Sequence, residues 1–418
     1  MRKEAADAVV AAGEAKEQSA ADKLAAEADV EASILEGSSS RNVHILEPDE
    51  EEEMWEKVNE RKLTYTLPPR PKRGSQMADA TSVFHGAELK DYQGRPWSAA
   101  PSNVKPDEDG HACFIPRRCI KKLTGHTKGV QALEYLPGTG HLLLSASMDG
   151  KCKVWDAHSS EMQVQRTYTG HTEGVRSIHF NNSGSHFLSS GFDRTIRHWD
   201  LETGQAAATF SNRKMGYQVR FHPGNNNVFI AACNDNRLYQ WDIRTGTVVQ
   251  EYNHHLQPCN TVTFIDGGRK FVSTSDDKKI LVWETDIPVP IKYIAEPGMH
   301  CVPSVSMHPS QQFFAAQSMD NKILTYTCGD KVRQQKKKTY TGHNNTGYAC
   351  QIGFSPNGQF MCSGDGKGEV HFWDWKSTKC YRKFHAHDNG PCMAAVWHPL
   401  HPNRVATCGW DGLIKIWD

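Results

Sequence analysis

The sequence of 418 residues lacks the features that mark several large classes of protein. No apolar run approaches the ~18 residues of a membrane-spanning helix, and the opening MRKEAADAVVAAGEAKEQ is too charged for a secretory signal peptide. Twelve cysteines are present, but no C-x-x-C pair occurs, which disfavours paired-cysteine metal sites and favours free thiols. These absences predict an intracellular chain.

Motifs that bind phosphates or metals are also absent from the sequence. It contains no Walker-type loop and no HExxH pair. The glycine-rich stretch GDGKG, which starts at Gly364, lacks the spacing of a phosphate loop and predicts a tight turn. We therefore expect no cofactor, no bound metal and no enzymatic activity.

Charge is balanced overall but distributed unevenly along the chain. Of 48 basic and 48 acidic residues, 14 basic and 23 acidic ones lie in residues 1–110, which leaves 34 basic and 25 acidic in residues 111–418. An acidic arm thus precedes a mildly basic body. Such a body is compatible with a position near nucleic acid and does not prove contact with it.

What the sequence does contain is a repeat. Its ending, IKIWD, recurs upstream as CKVWD, TIRHWD, RLYQWD, KILVWE and EVHFWD, and as KILTYT with tyrosine in place of tryptophan. The seven anchors are Trp155, Trp199, Trp241, Trp283, Tyr326, Trp373 and Trp417, spaced 44, 42, 42, 43, 47 and 44 residues apart. This period is the signature of WD repeats, each one four-stranded blade of a β-propeller. The predicted fold is all-β, a seven-bladed propeller.

Two other positions follow the same period. An aspartate stands six residues before six of the anchors, where it predicts a tight turn between two hairpin strands; the sixth blade has Lys367 there instead. Three residues before every anchor the side chain is apolar. The alternation around that position predicts a strand face packed against a neighbouring blade.

The last repeat ends after its third strand, which would leave a sheet edge exposed. A surplus strand precedes the first repeat, in HACFIPRRCIKKLTGH. We therefore predict that Cys113–Leu123 pairs with the C-terminal hairpin. Such pairing closes the ring and removes the exposed edge.

Histidine, hydroxyl, aspartate and tryptophan recur together in three blades. The sets are His126, Ser145, Asp149 and Trp155; His171, Ser189, Asp193 and Trp199; and His387, Thr407, Asp411 and Trp417. These include the residue types of a hydrolase triad, but a triad needs one nucleophile presented in a cleft. A set that recurs in several blades indicates a buried hydrogen-bonded network that locks each blade.

The N-terminal region differs in composition from the body. Residues 1–35 are rich in alanine and glutamate, which predicts disorder or a helix that forms only on a partner. Residues 47–63 contain Trp55 and form either a short docking helix or a solvated acidic segment. The basic LPPRPKRG at 67–74 is extended by its prolines and is a candidate nuclear-import signal. We divide the chain into an acidic arm (1–83), an extended docking segment (84–110) and the propeller (111–418).

Several phrases resemble one family more closely than the generic repeat does. They are FHGAELKDYQGR at 84–95, FVSTSDDKKILVWE at 271–284, DIPVPIKYIAEPGMH at 286–300, GYACQIGFSP at 347–356 and CGWDGLIKIWD at 408–418. They are similar to the pre-mRNA-processing factor 17 family, spliceosomal WD-repeat proteins that act at the second catalytic step. The first phrase lies outside the repeat, so generic propeller similarity cannot produce it.

The resemblance, which covers residues 84–418, implies a non-enzymatic scaffold in the nucleus that supports exon ligation. It implies that the chain works as a monomer within a large complex, away from membranes. The implied partners are the large core scaffold protein, other second-step factors and the U2/U6/U5 RNA core, with the pre-mRNA close by.

Candidate contact residues follow from the repeat and from local charge. The residue before each turn aspartate projects on the face where the turns lie, and four such residues are large and apolar: Met148, Phe192, Met319 and Trp410. They are either partner contacts or packed on neighbouring loops. The run KVRQQKKKTYTGH at 331–343, with Lys336, Lys337 and Lys338, either meets RNA or an acidic protein surface or is a solvated strand or loop. Trp55 is the candidate in the arm.

Two other functions stay open on the sequence. In the first, the chain would be an adaptor of another nuclear complex, such as a ubiquitin ligase substrate receptor or a chromatin complex. In the second, it would be an enzyme with its active site in the central channel. An enzyme would need converging polar side chains on the innermost strands. Those strands, VQALEYL, VRSIHF, YQVRFHP and VTFI among them, offer no repeated carboxylate or histidine set.

Overall fold

The computed structural model describes residues 80–86, 88–90, 94–101, 112–159, 161–329, 331–345 and 347–418. Within these ranges the chain forms 29 β-strands in seven antiparallel sheets. Two strands precede the first repeat, β1 (Thr81–Phe84) and β2 (Cys119–Leu123). The described residues contain no helix of the length and hydrophobicity that a bilayer crossing requires.

The strands follow one another blade by blade. Blade 1 has β3 (Val130–Tyr135), β4 (Leu142–Ser147), β5 (Lys151–Asp156) and β6 (Val164–Thr169). Blade 2 has β7 (Val175–Phe180), β8 (His186–Gly191), β9 (Ile196–Asp200) and β10 (Ala206–Phe210). Blade 3 has β11 (Gly216–His222), β12 (Asn225–Cys233), β13 (Leu238–Asp242) and β14 (Thr247–Tyr252). Blade 4 has β15 (Cys259–Ile265), β16 (Lys270–Ser275), β17 (Ile280–Glu284) and β18 (Pro290–Ile294), with a 3-10 turn at Asp266–Gly268.

The remaining blades have the same order. Blade 5 has β19 (Ser304–Met307), β20 (Phe313–Ser318), β21 (Lys322–Thr327) and β22 (Gln334–Tyr340). Blade 6 has β23 (Ile352–Phe354), β24 (Phe360–Gly364), β25 (Glu369–Asp374) and β26 (Cys380–His385). Blade 7 has β27 (Cys392–Trp397), β28 (Val405–Gly409) and β29 (Ile414–Trp417). We call the strands of a blade a to d, from the first in the chain outward. The a strands of consecutive blades contact one another, β27 with β3 included, so they surround a central channel.

The ring is closed by β2, which supplies the d strand of blade 7. It pairs antiparallel with β29, from Cys119 opposite Trp417 to Leu123 opposite Ile414. The amides of Arg117 and Arg118 both donate to the carbonyl oxygen of Asp418, at 2.8 and 2.9 Å. The predicted seven-bladed propeller with an N-terminal closing strand is therefore confirmed. The closing strand is shorter than predicted, because it begins at Cys119, and the amides of Arg117 and Arg118 before it hydrogen-bond to Asp418.

Blade 1 has a fifth strand that the sequence analysis missed. Strand β1 pairs antiparallel with the d strand β6, from Thr81 opposite Thr169 to Phe84 opposite Arg166. The predicted boundary between arm and docking segment, at 83–84, thus falls inside a strand. The added strand covers the outer edge of this blade.

The core is divided among the interfaces between blades. Seven clusters of buried apolar side chains correspond to the seven blade junctions, including one that joins blade 7 to blade 1 through Met393, Ile414, Leu143 and Trp155. The anchor side chains lie in these clusters, and Trp199, Trp283 and Trp373 are among the largest fully buried residues. Burying such rings stabilises each junction, since aromatic side chains remove 150–250 Å² each from water.

Candidate interaction surface

Each predicted set of histidine, hydroxyl, aspartate and tryptophan forms one hydrogen-bonded chain. In blade 2 the indole N–H of Trp199 donates to Ser189 Oγ (2.9 Å), Ser189 Oγ lies 2.7 Å from His171 Nε2, and His171 Nδ1 lies 2.9 Å from Asp193 Oδ2. The hydroxyl is fully buried and already bonded to the indole. It therefore cannot serve as a nucleophile for a substrate, and the arrangement supports the structural interpretation.

The other two predicted sets have the same geometry. In blade 1 His126 bridges Ser145 and Asp149 at 2.8 and 2.9 Å, and the Trp155 indole donates to Ser145. In blade 7 His387 bridges Thr407 and Asp411, at 3.0 and 2.9 Å, and the Trp417 indole donates to Thr407. We call these chains the blade networks.

Blade 4 holds a further network that the sequence analysis did not single out. His255 lies 2.7 Å from Ser273 Oγ and 3.0 Å from Asp277 Oδ2, and Trp283 donates to the same serine at 2.8 Å. The signal was present in the spacing, because His255 precedes Trp283 by the same 28 residues that separate His171 from Trp199. A preceding glycine is not needed for this position, because His254 precedes His255 and Ala386 precedes His387.

The networks fix the turns between strands b and c. Besides its histidine, Asp193 accepts hydrogen bonds from the backbone amides of Thr172 and Thr195, at 3.3 and 3.1 Å. Burial acts to raise the pKa of Asp193, but the hydrogen bond and charge of His171 and the bonds from Thr195 outweigh it, and the pKa is lowered. The pKa values of Asp149, Asp277 and Asp411 are lowered in the same way. Each turn is therefore tied through an ionised carboxylate to the loop that precedes its blade.

Blades 3 and 5 depart from the network because alanine occupies the hydroxyl position, at Ala231 and Ala316. The Trp241 indole N–H is buried without a hydrogen-bond partner. The turn aspartate of blade 3, Asp235, instead accepts a bond from the Tyr239 hydroxyl at 2.7 Å. These blades depend on packing where blades 1, 2, 4 and 7 add a polar chain.

Blade 6 departs because Lys367 occupies the aspartate position. Asp365 takes over the turn, and its Oδ1 accepts the amides of Lys367 and Glu369 at 2.9 and 2.8 Å. His343, which would have bridged to the missing carboxylate, is buried with neither ring nitrogen hydrogen-bonded. Burial and the nearby His371 lower the pKa of His343 to about 4, so this imidazole is neutral.

Asp365, Glu369 and His371 place one potential metal-ligand atom each within 4.8 Å of one another. His371 Nε2 lies 3.3 Å from Asp365 Oδ2 and 3.6 Å from Glu369 Oε2. Burial acts to lower the pKa of His371, but hydrogen bonds with Asp365 and Cys380 outweigh it and raise the pKa to about 9. A metal would have to displace the proton of this imidazole, so we interpret the group as an ion pair.

The residues that precede the turn aspartates occupy equivalent places on one face. Each backbone amide donates to the carbonyl that precedes strand a of its own blade: Met148 to Gly129, Phe192 to Gly174, Asn234 to Met215, Asp276 to Pro258, Met319 to Cys301 and Trp410 to Pro391, at 2.9–3.3 Å. We call this the turn face, the face of the propeller that carries the b–c turns. The predicted contact residues Met148, Phe192, Met319 and Trp410 all lie on it.

Met148 and Phe192 lie together, at adjacent blades. They line one cleft of about 400 Å³ with Lys128 and Glu173. Met148 is half-buried because it packs on Gly174, where a β-carbon would lie 2.8 Å from the methionine sulfur. Part of the Met148 side chain thus packs on a neighbouring loop, and both side chains line an open cleft between blades 1 and 2.

Trp410 is the most accessible of the four predicted contacts. Its side chain is 45% exposed, although one edge packs on Tyr348 with ring centroids 5.1 Å apart. Met319 is half-buried on blade 5. The structure thus spreads the four apolar residues over blades 1, 2, 5 and 7, and only Met148 and Phe192 share a cleft.

Part of the predicted basic run is a strand, because Lys336, Lys337 and Lys338 lie in β22, the d strand of blade 5. Lys336 pairs with Glu296 at 3.6 Å. Lys338 Nζ lies 4.6 Å from the Trp375 ring centroid, and burial there lowers its pKa. Lys337 is exposed on this strand. Trp55, the candidate in the arm, lies outside the described residues.

Comparison with known families identifies the repeats. The family model described as "WD domain, G-beta repeat" matches residues 117–156, 162–200, 246–284, 334–374 and 378–418. The anchors Trp241 and Tyr326, from the two blades with alanine in the hydroxyl position, lie outside the matched ranges. Fold and matches together define a WD-repeat β-propeller protein.

Similarity to curated proteins extends beyond the repeats. The chain is 45% identical over 384 residues to pre-mRNA-processing factor 17 of Homo sapiens, covering 90% of this chain and 65% of that protein. It is 34% identical over 347 residues to the Saccharomyces cerevisiae protein of the same name, covering 81% of this chain and 76% of that protein. WD repeat-containing protein 25 of Mus musculus is 28% identical over 84% of this chain and 69% of its own length.

The chain therefore belongs to the pre-mRNA-processing factor 17 family, as the sequence phrases indicated. It spans 65% of the length of the human and mouse relatives.

Proposed function

We propose that the protein is a non-catalytic scaffold of the spliceosome that supports pre-mRNA splicing, chiefly the second catalytic step, exon ligation. The observation that carries this proposal is the 45% identity to human pre-mRNA-processing factor 17 over 90% of this chain. The name of those relatives states a role in processing pre-mRNA. We place the protein in the nucleus, where that substrate is made.

The architecture suits a scaffold. Seven apolar junctions make the disc rigid, and the blade networks fix the turns from which Phe192 and Trp410 project. A rigid surface loses little conformational entropy on binding, so a few well-placed side chains supply most of the affinity. We propose that the turn face binds protein partners, namely the large core scaffold protein and other second-step factors.

We propose that RNA lies near the outer strand β22 of blade 5. Lys337 is exposed on β22, whereas Lys336 and Lys338 are engaged by Glu296 and Trp375. One free lysine neutralises about one phosphate, so this strand contributes weakly to affinity for U2, U6 or U5 snRNA or pre-mRNA. Protein contacts therefore carry the binding, and the protein acts as a monomer within the complex.

Add-back to nuclear extract depleted of the endogenous relative tests the proposal. We expect the full chain to restore exon ligation. A double variant, Met148→Ser with Phe192→Ser, should let lariat intermediate accumulate because the cleft loses its apolar contacts. The control is Val249→Ser, which changes an apolar residue that is 57% exposed on the outer strand β14.

Two results would contradict the proposal in different ways. Failure of the unmodified chain to restore exon ligation contradicts the spliceosomal role. Full activity of the double variant contradicts only the assignment of the turn face. Immunoprecipitation adds a separate check, because recovery of ubiquitin-ligase or chromatin subunits without spliceosomal RNAs would favour an adaptor of another nuclear complex.

A further inference from the structure

The central channel has one level at which polar side chains converge. In every blade, strand a pairs with strand b. One residue of strand a lies opposite the strand b residue that stands eleven positions before the anchor. In blade order these are Glu134, His179, Arg220, Thr263, Ser306, Gly353 and Val396. Blades 1 to 5 thus present a carboxyl, an imidazole, a guanidinium and two hydroxyls side by side. The residue types differ from blade to blade, so a search for repeats misses them.

The first two of these side chains, Glu134 and His179, also accept hydrogen bonds from the a strand of the next blade. An inner edge strand has amide groups without a ladder partner. The amide of Phe180 donates to Glu134 Oε2 at 3.1 Å, and the amide of Phe221 donates to His179 Nδ1 at 3.2 Å. Because Nδ1 of His179 accepts, its ring proton lies on Nε2, which faces Glu134 Oε1 at 3.7 Å. Glu134 and His179 are therefore held in place by neighbouring blades.

Four of these seven positions line a cavity. His179, Arg220, Thr263 and Ser306 line a space of about 440 Å³ at the channel mouth, together with apolar groups that include Phe221 and Phe264. Thr263 is only 8% exposed, yet its Oγ1 has no hydrogen-bond partner. A buried hydroxyl left without a partner destabilises the fold. Because Thr263 lines the cavity, rotation of its hydroxyl toward that space would let a ligand supply the missing partner.

We propose that this cavity binds a carboxylate group, held by the Arg220 guanidinium and the hydroxyls of Thr263 and Ser306. The carboxylate belongs to an acidic side chain of a protein segment that enters the channel mouth. A guanidinium binds a carboxylate through two parallel hydrogen bonds, and hydroxyls donate to the remaining lone pairs. The phenylalanine walls contact the aliphatic part of such a side chain.

Charge favours a single carboxylate over a nucleic-acid backbone. Arg220 is the only arginine or lysine among the residues that line the cavity, and Asp266 at its edge is paired with Arg269 and Lys270. A phosphate backbone is bound by several cations at once. One guanidinium in a small, partly apolar cavity matches one negative charge.

Glu134 makes the binding dependent on pH. It faces His179 from β7 and Arg220 from β11, while β27 on its other side places the uncharged Val396 at this level. Burial raises the pKa of Glu134 to about 7, against the opposing effects of the Arg220 charge and the Phe180 amide. The pKa of His179 lies well below its usual value because of burial and Arg220, so it is neutral. As pH falls below 7, Glu134 loses its charge and Arg220 becomes free to attract a ligand.

Methyl NMR of the full chain tests the site, because Met307 lines the cavity and Met148 lies on the turn face and reports on remote effects. The probe is N-acetyl-glutamate amide, with N-acetyl-glutamine amide as its neutral match. We expect a saturable shift of the Met307 methyl signal with the acidic probe, a dissociation constant of about 1–10 mM for so small a ligand, and tighter binding at pH 6 than at pH 8. Glu134→Gln should remove the pH dependence.

Variants separate the site from general charge effects. Arg220→Gln should lower the affinity for the acidic probe at least about tenfold. Thr263→Val, which keeps the side-chain shape, should lower this affinity about threefold. The matched control Arg244→Gln changes an arginine that is 70% exposed and should leave binding unchanged. If Arg220→Gln fails to fold, Thr263→Val alone tests the carboxylate site.

The proposal is overturned if the Met307 signal does not saturate, if the neutral probe shifts it equally, or if neither variant weakens binding. Stronger binding of inorganic phosphate or of a single-stranded RNA would assign the cavity to nucleic acid instead. Equal affinity for free acetate would show a site for small carboxylates and remove the protein segment from the proposal.

Discussion

The Arg166 guanidinium lies over the Phe84 ring, 5.2 Å from its centroid. It lies equally close to Trp97, at 5.4 Å, and donates to Ser82 Oγ and to the carbonyl oxygen of Thr203 at 3.1 and 2.6 Å. One buried cation thus joins the docking segment to blades 1 and 2. The phrase FHGAELKDYQGR, which distinguishes the family, therefore begins at a residue that packs on the propeller of the same chain.

We predict that Arg166→Met releases β1 while leaving the ring intact. The variant keeps most of the aliphatic stem but loses the cation–π contacts and the charged hydrogen bonds, worth about 1–3 kcal/mol together. Hydrogen exchange should become faster at residues 81–84 and stay unchanged in β27–β29. Arg244→Met, at an exposed arginine, is the control. Unchanged protection of residues 81–84 would show that strand pairing alone holds this segment.

Two N-terminal truncations should differ sharply in stability. A chain that starts at residue 112 loses β1 but keeps β2, so every blade retains four strands. A chain that starts at residue 124 also loses β2 and leaves β29 as a bare edge strand in blade 7. We expect the longer chain to melt within a few degrees of the full chain, about the effect of 1 kcal/mol. The shorter chain should aggregate. Equal melting of both would contradict ring closure by β2.

Period and residue type were enough to predict the blades. The apolar position recurs at a fixed distance from all seven anchors and the aspartate from six of them. These positions report two constraints on a blade, a packed junction and a tight turn. The same logic places His126, His171 and His387 in networks. His255 is missing from the predicted sets although it precedes Trp283 by the same 28 residues that separate His171 from Trp199, so the spacing alone was enough to find it.

Features that occur once could not be read from the repeat. Strand β1 is four residues long and has no counterpart in the other blades. Glu134, Arg220 and Thr263 come together only because strand register aligns one residue of each blade at the channel. Asp365 replaced the expected turn aspartate from two residues upstream of Lys367. The first two depend on tertiary contacts between segments that are distant in sequence, and the third depends on a local change within one turn.

Loss of a network carboxylate should destabilise the protein in a pH-dependent manner. The pKa of Asp193 is lowered in the folded state, so its contribution is present above the unfolded value of about 3.9 and is lost as pH falls through the folded pKa. Asp193→Asn should therefore lower the melting temperature strongly at pH 7 and progressively less below pH 4. At pH 7 we expect a loss of about 3 kcal/mol, since His171 is left buried without its partner.

The control for this measurement is Asp388→Asn, a carboxylate that is 73% exposed and pairs with His385 and Lys415. An exposed pair contributes about 0–1 kcal/mol, so the melting temperature should change little at any pH. A pH-independent difference between Asp193→Asn and the unmodified protein would contradict an ionised carboxylate in the network.

His371 should give the opposite pH dependence. Its folded pKa is raised to about 9, because hydrogen bonds with Asp365 and Cys380 outweigh the effect of burial. A raised pKa means that the protonated form stabilises the fold; this contribution is complete below the unfolded value of about 6.5 and is lost as pH rises through 9. His371→Gln should thus lower the melting temperature at pH 6 and have a much smaller effect at pH 10.

The same variant distinguishes an ion pair from a metal site. His371 stacks on Trp373 with ring centroids 5.5 Å apart, a contact that a protonated imidazole strengthens. If Asp365, Glu369 and His371 form an ion pair, neither excess EDTA nor added zinc changes the melting temperature at pH 8. A metal would displace the imidazole proton, so zinc would raise the melting temperature of the unmodified protein but not that of His371→Gln. His385→Gln, at a half-exposed histidine of the adjoining strand, controls for zinc binding at the surface.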